Sequence, residues 1–101
     1  MAIDSTKHSF TETNINLYGP DQGGVYGLYN SASTVIYYGS CQYSIKVRLR
    51  SHLSGAEGGY TKRAIYFNFE VNPDPKQREQ ELLVEYQRIY GKLPKCNHTH
   101  Y

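Results

Sequence analysis

The sequence predicts an α+β domain, a three-stranded antiparallel sheet flanked by helices, and three observations carry that prediction. Two runs rich in β-branched and aromatic residues, Gly24–Tyr29 and residues 34–39, stand on either side of the small polar stretch 30–33, a hairpin signature. A third run of the same kind, residues 64–71, is apolar enough to be central. Two stretches, residues 44–54 and 74–90, carry apolar residues at helical spacing.

Each element has its own local signals. Residues 1–22 lack sustained periodicity and end in the turn-rich Gly19-Pro20-Asp21-Gln22-Gly23-Gly24, so they are expected to form a poorly ordered arm or a strap over the core. The domain then spans residues 23–97, with a tail at 98–101. Pairing symmetric about the hairpin loop sets Tyr29 opposite Thr34 and Tyr26 opposite Tyr37, two phenols about 4.5–5.5 Å apart at Cβ on one face. Ser44 is a plausible N-cap for the first helix. There Ile45, Leu49 and Leu53 share a stripe at about 100° per residue; Arg48 and His52 lie on its edge, and Lys46 and Arg50 point elsewhere. A cation and an imidazole facing inward are costly unless something there needs them. The Gly-rich loop 55–59 follows. Asp74 as N-cap with Pro75 at the first helical position opens the second helix, and Gly91 is a natural stop. Leu82, Leu83, Tyr86, Ile89 and Tyr90 make its apolar stripe, with Glu79 in the middle of it and Glu81 and Glu85 outside. A carboxylate in that place must be protonated, paired or holding a cation.

Composition narrows the classes. The chain has 101 residues, 11 Lys plus Arg against 9 Asp plus Glu, and a formal charge of +2, too balanced to imply a polyanion partner by itself. No apolar run approaches the ~20 residues of a membrane helix, and the first residues contain no signal-peptide hydrophobic region, so the expectation is a cytoplasmic protein. Cys41 and Cys96 have no Cys-x-x-Cys spacing and are expected to be free thiols, which excludes a zinc finger or a disulfide scaffold. The sequence Cys96-x-His98-x-His100 has ligand-type residues, but a mobile tail is the expectation there. The odd feature is tyrosine, 11 residues against 3 Phe and no Trp, which suits half-wet surfaces where a ring packs and a hydroxyl works.

These motifs together resemble the GIY-YIG nuclease family. Gly24-Val25-Tyr26 and Tyr37-Tyr38-Gly39 resemble its name-giving pair, with Val25 and Tyr38 in place of the two isoleucines. Arg48 with His52 resembles its helix motif. Arg78-Glu79-Gln80-Glu81-Leu82-Leu83 is similar to its glutamate helix, and Pro94-Lys95-Cys96-Asn97 to its terminal element. The motifs follow family order, from Gly24 to Asn97. The gap from Gly39 to Arg48 is one residue longer than usual in the family, and the family's short middle helix is replaced by the Gly-rich loop.

The resemblance implies an endonuclease that hydrolyses DNA to 5′-phosphate and 3′-hydroxyl ends with one divalent cation, Mg²⁺ or Mn²⁺ as its substitute, held by Glu79. A single carboxylate suits Mg²⁺, which keeps several waters. Arg48 then offers a fixed fork to phosphate oxygens. Tyr37, with Tyr26 beside it, orients or deprotonates the attacking water, which from a pKa near 10 requires a nearby cation. His52 relays that proton, and Asn97 positions a backbone or phosphate group. Between residues 46 and 63 five cations, Lys46, Arg48, Arg50, Lys62 and Arg63, stand against Glu57, a pattern that grips a nucleic-acid backbone without reading its sequence. Exposed Tyr43 or Tyr60 is a candidate for stacking on an unpaired base. Lacking a targeting module, the domain would recognise DNA structure, form a homodimer or borrow a targeting partner protein. Two other readings stay open: a catalytically inactive nucleic-acid-binding module on the same scaffold, and a tyrosine-rich sugar- or protein-binding domain.

Overall fold

A computed structural model describes residues 3 and 6–99, without the side chains of His98 and Thr99. Beyond the backbone of residues 98 and 99, the expected tail and its Cys96-x-His98-x-His100 ligand set lie outside the described residues, as do residues 1, 2, 4 and 5 of the expected arm. The fold is α+β, with four strands rather than the expected three. In chain order these are β1 (His8–Ser9), α1 (Glu12–Tyr18), β2 (Gly24–Tyr29), β3 (Val35–Cys41), α2 (Ile45–Ser54), β4 (Tyr66–Val71) and α3 (Pro75–Tyr90). Single 3₁₀ turns occupy Thr61–Arg63 and Lys95–Thr99. The sheet order is β1-β4-β2-β3, antiparallel throughout, so β2 is central and β3 is an edge.

The additional strand comes from the segment expected to be an arm. His8 pairs with Phe67 and Ser9 with Tyr66. Thr11 caps α1 by accepting from the Asn14 backbone N–H at 3.2 Å, and the short helix buries Ile15 completely. Phe10 and Ile15 enter the core beside Leu28 and Phe67. So this part of the chain contributes both a strand and a core residue from its single helix.

The hairpin register also differs from the symmetric pairing. Tyr26 lies opposite Gly39, and Tyr37 opposite Leu28. Two local features cause the slip. Asn30 Oδ1 accepts from the backbone N–H groups of Ala32 and Thr34, at 2.9 and 3.0 Å, drawing Thr34 into the loop, and Ser33 takes a left-handed φ of 61°. The ladder then shifts between Tyr29–Val35 and Leu28–Tyr37, leaving Ile36 as the extra residue of a bulge. One residue for the loop and one for the bulge make a slip of two, which preserves the faces of the residues beyond the bulge, from Tyr37 on. Tyr26 and Tyr37 therefore still share a face, now as diagonal neighbours with ring centroids 6.2 Å apart.

That face packs under α1 and α2 through Tyr26, Leu28, Ile45, Leu49 and Phe67; α3 covers the other through Val25, Tyr38 and Leu82. The caps of α2 and α3 fall where the sequence puts them, at Ser44 and Asp74, with Gly91 closing α3 at φ 75°. Ile89 and Tyr90, expected in the α3 stripe, are exposed at 59% and 61%. The last turn of α3 thus lies outside the contact that buries Leu82, and Leu83 and Tyr86 are the partly buried flank.

Candidate active site

The site forms around the edge strand β3, whose two faces present different chemistry. On the helix α2 face, Tyr26 is fully buried and its hydroxyl lies 2.7 Å from His52 Nε2. The other nitrogen of His52, Nδ1, lies 2.7 Å from Thr61 Oγ1. His52 is itself fully buried, packed against the Tyr26 and Tyr37 rings at 5.4 and 5.1 Å between centroids. An imidazole on the inward edge of a helix is here satisfied at both nitrogens, which answers the burial cost raised by the sequence.

Gly39 makes this packing possible. A Cβ at that position would sit 2.5 Å from both Cζ and the hydroxyl oxygen of Tyr26, and 2.8 Å from Cε2 of Tyr37. The Tyr26 ring lies across its cross-strand partner because that partner has no side chain.

Arg48 approaches the same hydroxyls from α2. Its charge acts on Tyr26, and its Nε lies 3.7 Å from the Glu57 carboxylate in the Gly-rich loop. Burial, reinforced by Tyr37, raises the Tyr26 pKa far above its ordinary value despite the Arg48 cation. Burial also pushes Tyr37 up to about 12, helped by the negative charges of Glu79 and Glu57 and opposed by Arg48 and a hydrogen bond with Tyr26. Both phenols hold their protons at neutral pH.

On the opposite face of β3, Ser40 Oγ donates to Glu79 Oε1 at 2.6 Å. A buttress fixes α3 for this contact. Arg78 forks onto Glu70 of β4 with Nε–Oε2 at 2.9 Å and Nη2–Oε1 at 3.2 Å, and it reaches Glu81 at 3.3 Å. Glu79 is therefore half-buried at the sheet edge, where its charge is felt by Tyr37. Ser40 and Arg48 line one open hollow of about 300 Å³, with Gln42, Tyr43, Pro75 and Lys76 around it.

Asn97 does something specific to the same strand. Its Oδ1 accepts from the Tyr38 backbone N–H and its Nδ2 donates to the Tyr38 carbonyl, both at 3.1 Å. This pair copies one rung of a β-ladder on the free side of β3 and holds the peptide next to Tyr37.

The basic residues are not gathered into a single patch. Lys46 and Arg50 lie where α2 meets the α1 segment: the Lys46 N–H donates to the Pro20 carbonyl, and the Arg50 guanidinium donates to Asn16 Oδ1. Lys62 and Arg63 are exposed on the turn after the Gly-rich loop, with the Lys62 stem beside Gly55 at the far end of α2 from Lys46. Tyr43 and Tyr60 are exposed, at 84% and 56%.

Residues 22–92 match the family model for the GIY-YIG catalytic domain. The chain belongs to the GIY-YIG family. Its members are nucleases, and Tyr26, Tyr37, Arg48, His52 and Glu79 all fall within the matched span, with Asn97 just beyond it. A comparison with curated proteins finds no match. In this GIY-YIG domain Cys41 and Cys96 are buried and not joined in a disulfide. Among the described residues no helix is long and apolar enough to cross a membrane. Nor do three or more His, Cys, Asp or Glu side chains cluster there as a ready-made metal cage. Glu79 offers a single carboxylate, one oxygen of which accepts from Ser40, and such a donor fits a divalent cation that takes its other ligands from water. Sequence reasoning missed Ser40 and Thr61, and read Glu57 only as a counter-charge to the basic residues. Only Ser40, one residue after the Tyr-Tyr-Gly motif, had a positional signal.

Proposed function

We propose that this domain is a divalent-metal-dependent endonuclease that hydrolyses DNA phosphodiester bonds to 5′-phosphate and 3′-hydroxyl ends. The observation that carries the reading is the meeting of a carboxylate, a guanidinium and a phenol around one edge strand, beside an open hollow. Glu79, aimed by Ser40, would hold Mg²⁺ or Mn²⁺, which when bound supplies charge neutralisation at the phosphate and the leaving oxygen.

The chain's own residues do the rest. Arg48 presents a planar fork to the phosphate oxygens, its direction set by Tyr26 and Glu57. Tyr37, the less buried of the two phenols, faces the attacking water. A pKa near 12 makes it a poor base alone, and each positive charge brought next to it lowers that value. Tyr26 sits behind Tyr37 and links it to His52, so its hydroxyl acts on the water only through Tyr37. Asn97 keeps the Tyr37–Tyr38 backbone in place. Lys62 with Arg63 and Lys46 with Arg50 would make two separate contacts to a polyanion, and such contacts give salt-sensitive, sequence-blind affinity.

The test is incubation of supercoiled plasmid and of a branched duplex with Mg²⁺ or Mn²⁺, wild type beside Glu79→Ala. The reading expects nicking by the wild type alone, with 5′-phosphate ends. Equal cutting by both proteins, or DNA binding with no strand breaks under any metal and substrate tried, contradicts it. The second of these outcomes identifies the inactive binding module.

A further inference from the structure

Behind the phenols lies a closed chain of hydrogen-bonding groups, Tyr37, Tyr26, His52 and Thr61, whose last member has no part in the family motifs. Tyr26 and His52 are fully buried and Thr61 is 2% exposed. The two links at His52 are both 2.7 Å. Thr61 begins the 3₁₀ turn that follows the Gly-rich loop, and this turn packs directly on α2.

The Tyr26 oxygen has one proton and two lone pairs. Among the described residues its one hydrogen-bond partner by geometry is His52 Nε2; the Arg48 cation acts on it and the Tyr37 ring stands beside it. A cation faces the lone pairs of an oxygen and turns the hydroxyl proton away, so the Tyr26 proton points at a bare Nε2, and His52 carries its proton on Nδ1, facing Thr61. We infer that Thr61 is a positioning residue: its hydroxyl oxygen accepts from Nδ1–H and holds His52 in the tautomer whose free Nε2 accepts from Tyr26. Imidazole left to itself prefers the opposite, Nε2–H, form, so the tautomer is one that a specific partner must impose.

For the proposed reaction, on which this use of the tautomer rests, the direction of the chain matters. The Tyr37 proton passes to the Tyr26 oxygen while the Tyr26 proton passes to Nε2. Tyr37 is left as the phenolate that takes a proton from water, Tyr26 stays neutral, and His52 becomes an imidazolium. That imidazolium donates from both nitrogens, to Tyr26 and to Thr61, and neither N–H is stranded in a dry site. Valine at position 61 has nearly the shape of threonine and no acceptor. It turns the ring to Nε2–H, which donates to Tyr26, and the bare nitrogen is then Nδ1, on the side away from Tyr26, where it cannot take the Tyr26 proton.

The decisive experiment reads the tautomer directly, without DNA or metal, from two-bond ¹H–¹⁵N correlations of labelled protein, the His52 signals assigned by their loss in His52→Gln. Wild type and Thr61→Ser are expected to show Nδ1–H, and Thr61→Val to show Nε2–H. An Nε2–H wild type, or a Thr61→Val spectrum unchanged from it, overturns the inference. In steady-state cleavage Thr61→Val is expected to lower kcat by on the order of 100-fold at unchanged KM, with Thr61→Ser restoring it. A loss expressed in KM, or no rescue by serine, also overturns it. If the wild type does not cut DNA the nuclease reading fails, and the spectra still decide the role of Thr61. Should Thr61→Val not fold, the wild-type and Thr61→Ser spectra decide alone.

Discussion

Replacing Gly39 by alanine adds one methyl group at the point where the two strands of the hairpin and the two phenols meet. The added Cβ would lie 2.5 Å from the Tyr26 hydroxyl oxygen and Cζ, and 2.8 Å from Tyr37 Cε2. Normal carbon–carbon contact is about 3.5–4.0 Å, so the Tyr26 ring must retreat by about 1 Å. It has little room to do so. The ring is fully buried, and its hydroxyl is held at 2.7 Å by a histidine that is also fully buried. Overpacking of this kind costs about 1–3 kcal/mol, and the lower entropy of an unfolded chain with alanine returns at most about 1 kcal/mol. The expected outcome is a net loss of about 1–2 kcal/mol by urea unfolding, a drop in Tm of roughly 4–16 °C. Cleavage should fall by more than the folded fraction explains, because the displaced ring breaks the Tyr37–Tyr26–His52 chain. An alanine variant as stable and as active as the wild type would refute this account of why glycine stands opposite Tyr26. A destabilised variant with full activity per folded molecule would refute the link between that packing and catalysis.

Two further outcomes follow from the same geometry. Asn97→Ala leaves the Tyr38 N–H and carbonyl without their partners, and with each buried orphan costing about 1–3 kcal/mol the loss should be about 2–4 kcal/mol by urea titration, less where water replaces the amide. A change below 0.5 kcal/mol, taken as an order-of-magnitude threshold, would mean that β3 needs no such clamp. The second concerns alkali. Tyr37 is raised to about 12, and Tyr26 and Tyr38 shift in the same direction. The folded protein thus keeps protons that the unfolded chain gives up above pH ~10, and stability falls as pH rises. Tyr37 alone should remove about 2–3 kcal/mol between pH 10 and 12. Urea midpoints measured across that range should show the decline, shallower in Tyr37→Phe; a flat profile would contradict the buried, charge-opposed environment of these phenols.

How much of this was legible in the sequence depends on how local each signal is. Ser44, Asp74-Pro75 and Gly91 act within one turn of their own helices, so the bounds of α2 and α3 could be read from spacing. The hairpin could be read too, but not its register, which depends on the Asn30 side chain capturing Thr34 and on a bulge at Ile36. The faces survived because the slip was even. Strand β1 left no signal, since two residues that pair with β4 across a gap of more than fifty positions carry no periodicity. Helix α1 has only Ile15 fully buried, too little for a stripe. Of the site, the motif residues were legible because their spacing is a family pattern. Thr61 was not, because a threonine opening a turn looks the same whether or not a histidine faces it.

The account rests on a cation held at Glu79 beside Tyr37, and the position of that cation on a DNA complex can be measured. In a complex with a non-cleavable duplex, Mn²⁺ should broaden the NMR signals of Ser40, Glu79 and the Tyr37 ring first, and Glu79→Gln should abolish the effect. Broadening centred instead on the Lys95–Thr99 turn with Cys96, or unchanged by Glu79→Gln, would contradict it.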